Sequence, residues 1–350
     1  MTSTLSTVPC KVIVDAMGGD NAPLICVQGA VQAQKENSDI EVFLIGRKLE
    51  LEKILKEQTL YFDPERIIDA SEVIEMGDKP AEAIKVKKDS SIVRGCELIR
   101  SGKYDAFVSA GNTGAMMAAS TFIIGRIAGI SRATMGSFFP NESGITTIFD
   151  VGANVDSKPM HLLEFALMGS IFVREIYGIT NPKIGLLSVG EEDSKGNKVT
   201  LETFALLKKT NLNFIGNIEG RDILKGTVHI VLCDGFVGNI VLKFGEGFKS
   251  FLQHLLKQQA EKSLYAKIVL LMARNTLRKA MKSVDPQEYG GVPLLGVKGI
   301  SIIGHGSSGP KAIKNMVLRA REMHQKRIVQ RIGDAVKEYG LEKESDKNDQ

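Results

Sequence analysis

Several glycine- and polar-rich segments of this 350-residue chain carry the residue types that bind anions and stabilise developing negative charge. Ala110-Gly111-Asn112-Thr113-Gly114 follows an apolar run ending at Ser109 and precedes a helical pattern through Ile124. Its glycines let the backbone approach a ligand, Asn112 or Thr113 can cap the helix, and N–H groups at a helix start favour phosphate or carboxylate. His305-Gly306-Ser307-Ser308-Gly309-Pro310 repeats the arrangement before the final basic helix. Near the N-terminus, Asp15-Ala16-Met17-Gly18-Gly19-Asp20-Asn21-Ala22-Pro23 joins paired glycines for a sharp turn to a cap and a helix-starting proline. Asp15 and Asp20 could coordinate Mg²⁺, but two carboxylates do not require it, and no metal or other cofactor is expected.

Two further polar stretches, Gly190 to Lys198 and Asp234 to Asn239, each follow an apolar strand and are expected to open on the same rim of a sheet. Lys195 or Lys198 can neutralise an attacking phosphate, and Asn239 can donate to a developing oxyanion. Cysteine nucleophiles are disfavoured, because Cys10 and Cys233 fall in expected core strands. Of the five histidines only His305 lies in a candidate loop. The chain has no G-x-x-x-x-G-K-[ST], no G-x-G-x-x-G opening a helix after its first strand, no H-E-x-x-H and no G-x-S-x-G. Those absences argue against P-loop NTPases, dinucleotide fingerprints, common metalloproteases and α/β-hydrolases.

The elements that must hold these loops alternate between short β-branched runs and helical patterns, the signature of βαβ units and a mainly parallel sheet. Strands are expected at Lys11 to Asp15, Ile40 to Ile45, Phe107 to Ser109, Thr146 to Asp150, Ile184 to Val189, Val228 to Cys233 and Ile300 to Ile303. Met160 to Ile176 reads as a helix with one apolar face that includes Gly169, suited to close packing in the core or across a dimer. From Phe248 the apolar spacing becomes i, i+3, i+4, i+7, i+8, and a second helical segment runs from about Leu264 to Lys282. The expected organisation is an N-terminal extension over 1–10, one α/β catalytic domain over 11–340 with a helical arm at about 248–283, and a polar tail over 341–350. A long helix from about Pro310 to Tyr339 closes the domain.

With 43% hydrophobic residues the chain can bury a core without staples, and its four separated cysteines argue against a disulfide framework or zinc ribbon. A reducing cytoplasm is the expected home, since apolar stretches are too short to span a bilayer and the first ten residues lack signal-peptide segments. The net charge of +4 conceals a division: residues 1 to 248 hold 26 Lys+Arg against 31 Asp+Glu, and residues 249 to 350 hold 19 against 10. The basic last third is therefore expected to meet an anionic partner, with solvated helix faces as the plain alternative.

Val14 to Pro23 (VDAMGGDNAP), Ser109 to Ala115 (SAGNTGA), Asp150 to Asn154 (DVGAN), Asp234 to Asn239 (DGFVGN) and His305 to Ser308 (HGSS) carry a specific likeness. Taken in order, they make the chain resemble the bacterial acyl-carrier-protein:phosphate acyltransferase family, PlsX, from about Lys11 to about Tyr339. The resemblance implies a three-layer α/β/α sandwich similar to phosphate acetyltransferases and isocitrate-dehydrogenase-like folds, and a homodimer. It implies transfer of a long-chain acyl group from acyl carrier protein to inorganic phosphate, feeding a membrane glycerol-3-phosphate acyltransferase in phospholipid synthesis. On it, Lys195 would orient phosphate and Asn239 would stabilise the oxyanion or the thiolate leaving group. Gly111, Asn112, Thr113 and Gly114 would form the anion cradle, with Asp15, Gly18, Gly19, Asn154 and His305 lining the cleft.

The arm also has a reading from its own residues. Lys249 to Lys282 carries eight Lys+Arg and one acid, Glu261, and Lys267, Arg274 and Arg278 form a stripe beside Leu264, Ile268, Leu271 and Met272. That pattern fits an interfacial helix on anionic lipid, as the resemblance also implies for a peripheral protein at the inner face of the cell membrane. A dimer contact and a docking face for acidic acyl carrier protein are the alternatives. The rival enzyme is a decarboxylating nicotinamide-dependent dehydrogenase, and the rival non-enzyme is an adaptor that uses its basic third to hold nucleic acid or membrane. Absence of Trp and 6% aromatic content make stacking on single strands unattractive, so nucleic acid is not an expected partner.

Overall fold

The structure is a computed structural model that describes residues 9–282, 288 and 290–341. The first half runs β1 (Cys10–Asp15), α1 (Leu24–Glu36), β2 (Ile40–Gly46), α2 (Lys48–Glu57), β3 (Ile67–Asp69), α3 (Pro80–Val86), α4 (Ser91–Arg100), β4 (Ala106–Ser109) and α5 (Thr113–Ala119). A π-helical turn, Ser120–Ile124, extends α5. Next come β5 (Thr134–Asn141), β6 (Gly144–Phe149), α6 (Pro159–Tyr177), β7 (Ile184–Leu187), α7 (Lys198–Leu207), β8 (Phe214–Ile218), α8 (Gly220–Lys225) and β9 (Ile230–Leu232). The paired helices α9 (Gly235–Lys262) and α10 (Leu264–Lys282) precede β10 (Val292–Leu295), β11 (Ile300–Ile303), α11 (Pro310–Gln325) and α12 (Ile328–Glu338). The expected tail from 342 and most of the N-terminal extension lie outside the described residues, as does the arm's last expected residue, 283.

All eleven strands join one sheet in the order β3-β2-β1-β4-β11-β10-β5-β6-β9-β7-β8. Along β1, Val12 and Val14 enter one apolar cluster and Ile13 the other, so both faces of the sheet are covered. This is the α/β/α sandwich that the family resemblance implies, built on the mainly parallel sheet that the alternating pattern predicts. Pairing is parallel from β3 through β11 and again from β6 through β8. Between these blocks, β11–β10, β10–β5 and β5–β6 are antiparallel. Three reversals leave the second block running against the first, so the carboxyl ends of the two blocks emerge at opposite rims.

Strands β3, β5, β8 and β10 add to the seven expected ones, and most of them carry residues that blunt a strand signal. β5 contains Gly136 and Pro140, β8 contains Gly216, and β10 contains Pro293. Gly136 is required sterically: a Cβ there would lie 2.0 Å from the Phe149 ring. Gly169 of α6 receives the same ring, with a Cβ position 2.8 Å away, so its close packing is in the core.

Two helix boundaries correct the sequence expectation. The arm's first helix begins at Gly235, capped by Asp234 accepting from Val237 N at 2.8 Å, so Asp234 to Asn239 is a cap and first turn, not a loop. The expected helix over Pro310 to Tyr339 is two helices. Arg327 is left-handed at φ 53, and Lys326 Nζ donates to the backbone oxygens of Glu175 and Ile176 at the end of α6. The break turns α12 so that Ile328, Ile332 and Val336 are buried. No helix among the described residues is long and apolar enough to cross a membrane.

Candidate active site

Adjacent parallel strands β1, β4 and β11 deliver three of the motif loops to one rim. Asp15 does not line an open cleft as expected: it is buried, and its oxygens accept from Ser109 Oγ at 2.6 Å and Met17 N at 3.0 Å. Ser109 Oγ in turn accepts from Gly111 N at 3.0 Å. Burial pushes the Asp15 carboxyl up against the opposing pull of hydrogen bonds from Ser109, Ser91, Met17 and Gly18. Gly18 must lack a side chain, since a Cβ would sit 2.6 Å from Gly111 N. Beside Gly19, Asp20 N donates to Gly306 O at 2.8 Å, which ties the His305 turn to the same knot.

Within the expected cradle, Asn112 is a structural hub. Its Oδ1 accepts from Ala115 N at 3.0 Å, and its Nδ2 donates to the carbonyls of Glu75, Met76 and Asp78. Gly111 N is also committed, so part of the loop's anion-binding capacity is used internally. Thr113 is exposed and Gly114 half-buried. His305 is exposed, with Nδ1 2.8 Å from Ser307 Oγ.

The opposite rim is organised by a second buried carboxylate, Asp150, at the exit of β6. It accepts from Met135 N at 3.0 Å, Ala153 N at 3.2 Å, Asn154 N at 2.6 Å and Asn154 Nδ2 at 3.0 Å. Burial raises its pKa, opposed by these same donors. Asn154 Nδ2 also reaches Ala133 O at 2.8 Å, and Asn154 O accepts from Gly235 N at 2.8 Å. A Cβ on Gly235 would lie 2.5 Å from Asn154 O and one on Gly238 only 1.8 Å from Asp150 O. The glycines of Asp234 to Asn239 thus let the first turn of α9 press onto the Asp150 to Asn154 loop.

Asn239, exposed on that turn, lies against Gly152, whose Cβ position is 3.5 Å from the Asn239 side chain. Lys195 is exposed beyond neighbouring β7, its carbonyl held by Ser188 Oγ at 3.2 Å and Asn217 Nδ2 at 3.3 Å. β7 and β9 pair in parallel, so Lys195 and Asn239 leave the sheet at one rim. Asp15, the 111–114 cradle and His305 leave at the other.

A cavity of about 840 Å³ is lined by Gly114, Met117, Ala118 and Phe122 from the first rim's helix and by Asn154, Lys158 and His161 from the second rim, and neither Lys195, Asn239, Asp15 nor His305 is part of its lining. Arg126 and Arg132 add positive charge to its lining. His161 Nδ1 accepts from Lys158 N at 3.1 Å, leaving Nε2 as the donor of the neutral ring. Burial, then the Arg132 and Lys158 charges, lowers its pKa to about 4. The loop bearing Arg132 is pinned by buried Glu164, which accepts from Ser131 N at 2.9 Å and Ser131 Oγ at 2.7 Å. Sequence reading missed Ser109, Asp150, Arg132, Lys158, His161 and Glu164 as site residues. Ser109, at the start of SAGNTGA, Asp150, at the start of DVGAN, and Glu164, an acid set among apolar residues of its helix, left a legible trace.

All four cysteines are buried. Burial is the first cause of the upward shift of each thiol, to about 12 for Cys10 and Cys96, so none offers a ready thiolate. Among the described residues, Cys10, Asp105 and His324 bring metal-ligating atoms within 4.8 Å of one another, at the end of β1 away from Asp15.

Solved structures with this architecture include phosphotransacetylases and a "putative 4-hydroxythreonine-4-phosphate dehydrogenase". One from Streptococcus pyogenes superposes with TM-score 0.59 at 18% identity, covering 89% of this chain and 93% of that one. The EutD phosphotransacetylase from Staphylococcus aureus gives 0.57 at 15%, covering 90% and 94%. These likenesses define the fold class, an α/β/α sandwich. The family described as "Fatty acid synthesis protein" matches residues 10–331. The "Phosphate acyltransferase" of Halothermothrix orenii is 45% identical over 332 residues, 94% of this chain and 99% of that protein. That of Pelotomaculum thermopropionicum is 48% identical over 326 residues, 93% and 95% of the two. The chain belongs to this phosphate acyltransferase family, PlsX, and is an acyltransferase of lipid synthesis.

Proposed function

We propose that the enzyme transfers a long-chain acyl group from acyl carrier protein to inorganic phosphate, releasing acyl phosphate and free carrier protein. A phosphate oxygen attacks the thioester carbonyl, the tetrahedral oxyanion collapses, the C–S bond breaks, and the thiolate leaves and takes a proton. The observation that supports direct attack is that an acyltransferase has all four of its thiols buried and shifted upward, so phosphate itself serves as nucleophile. The protein then has to position one dianion and stabilise one oxyanion.

In this reading Lys195 orients phosphate, and Asn239 stabilises the oxyanion or the leaving thiolate. Thr113 and Gly114 supply the substrate-facing part of the cradle. Asp15, Asp150 and Asn154 are positioning residues, and Gly18, Gly19, Gly111, Asn112 and His305 shape the first rim. The test is phosphate-dependent release of free thiol from acyl-loaded carrier protein. Lys195→Ala and Asn239→Ala should each lower kcat about 10²-fold or more. Wild-type kcat in folded variants removes the assignment, and no release by the parent enzyme removes the function.

The acyl phosphate would feed a membrane glycerol-3-phosphate acyltransferase. The arm suits delivery there: α9 and α10 expose Phe248, Phe251, Leu264, Leu271 and Met272 beside exposed Lys267 and Arg274. We assign it to peripheral contact with the inner face of the cell membrane, in a cytoplasmic homodimer that uses no nucleic acid partner. Flotation with anionic vesicles tests the assignment: absence of binding, with dimerisation intact, refutes the lipid role.

A further inference from the structure

The cavity shares Gly114 and Asn154 with the roles assigned above, and the rest of its lining has a shape and charge that those roles do not use. Its α5 wall presents Gly114, Met117, Ala118, Thr121 and Phe122, spaced i, i+3, i+4, i+7, i+8, as one continuous strip along the helix and its π-helical extension. Facing it, Ile127, Ile130 and Met160 add apolar surface, with Leu294 of β10 also in the lining. A strip of this kind complements an alkyl chain. At about 840 Å³ the space lies in the range of pockets that enclose small molecules.

The lining also carries three cationic side chains, Arg126, Arg132 and Lys158. Arg132 and Lys158 both act on His161, which holds a single N–H donor toward its surroundings. The loop that carries Arg132 is built into place. Glu164 spends both carboxylate oxygens on the Ser131–Arg132 backbone and the Ser131 hydroxyl, and Arg126 Nη1 donates to Ser131 O. Asn154, the residue that links the cavity to Asp150 and to the first turn of α9, is part of the same lining.

We propose that this cavity binds the acyl phosphate itself, its alkyl chain lying along Met117, Ala118 and Phe122 of the α5 wall and its phosphoryl head held between Arg132 and Lys158. The inference rests on the proposed reaction for the identity of the amphiphile, and on the cavity alone for its chemistry: one chain and one anionic head. Ala118 is the specificity position, because it lies in the middle of the apolar strip, where a large side chain would take the place of the alkyl chain. Arg132 and Lys158 recognise the head, and Glu164 positions Arg132.

Dodecyl phosphate is a stable probe that separates this proposal from the activity. Calorimetric titration of the full-length enzyme should show dodecyl phosphate binding at least tenfold tighter than inorganic phosphate. Ala118→Trp should weaken the probe at least tenfold and leave inorganic phosphate within twofold. Arg132→Gln with Lys158→Gln should weaken both ligands, and the milder Ala118→Leu serves if the tryptophan variant does not fold. With acyl-loaded carrier protein, Ala118→Trp should lower kcat/KM for a sixteen-carbon chain about tenfold more than for a four-carbon chain. Equal binding of probe and phosphate, or equal loss for both chains, overturns the proposal. Tight, Ala118-sensitive probe binding by an enzyme that releases no thiol would keep the cavity assignment and refute the reaction.

Discussion

Gly238 and Gly247 lie on one helix and should respond to the same substitution with opposite signs. A Cβ on Gly238 falls 1.8 Å from Asp150 O and 2.9 Å from Asp150 C, both backbone atoms, and 3.0 Å from Cys233 Sγ. No rotamer relieves that overlap, so α9 or the Asp150 to Asn154 loop must move. Overpacking of this kind costs about 1–3 kcal/mol, and more where backbone must shift. The helix-propensity gain of alanine over glycine returns only about 1 kcal/mol. Gly238→Ala should therefore lose roughly 2 kcal/mol. At about 2.1 cal/mol/K per residue, the unfolding entropy of 350 residues is near 0.7 kcal/mol/K, so Tm should fall by about 3 °C. Among the described residues nothing outside its own helix turn crowds the Cβ position of Gly247, and Gly247→Ala should gain up to about 1 kcal/mol. The same shift would displace Asn154 and Asn239, so Gly238→Ala should also lower kcat while Gly247→Ala preserves it. Scanning calorimetry with the thiol-release assay decides the matter. Equal or higher Tm and full activity in Gly238→Ala would refute the argument that close approach, and not flexibility, demands this glycine.

His161, lowered from 6.5 to about 4 chiefly by burial, contributes stability that is complete above pH 6.5 and is lost as pH falls toward 4. Between pH 7 and 4.5 the wild type should therefore lose roughly 1–3 kcal/mol more than His161→Asn, measured by urea denaturation, and parallel pH slopes would contradict this. Ser109→Ala leaves buried Asp15 and Gly111 N each short of a partner and should cost about 1–3 kcal/mol, read from the urea midpoint. Glu164→Ala should cost a similar 1–3 kcal/mol by stranding the Ser131 donors, with part of the loss restored in Glu164→Gln.

The first rim was legible because each of its loops is a short contiguous segment at the end of an apolar strand, although the loops themselves lie far apart in the chain. Gly18, Gly111 and His305 each follow directly on a strong apolar strand, and parallel pairing of β1, β4 and β11 brings those exits together. The motif residues were nevertheless assigned too readily to the ligand. Asp15 and Asn112 have the chemistry of binding groups, yet their polar atoms hold the loops to one another. Whether a carboxylate or amide faces substrate or backbone depends on which N–H groups surround it, and local sequence does not encode that. Arg132, Lys158 and His161 left no motif at all, since they come from a connecting loop and a helix start that meet only in the folded chain.

Alternation of apolar runs, glycine at strand exits and capping residues at helix starts determined the α/β class, seven of the strands and the loops available for anion chemistry. Those are consequences of local backbone preference and side-chain period. Tertiary structure decided the rest: the reversal introduced by β10 and β5, the separation of the loops into two rims, and the cavity lined from both. Strand direction is set by pairings between distant segments, and β5 and β10, which contain Gly136, Pro140 and Pro293, carry weak local signals for it.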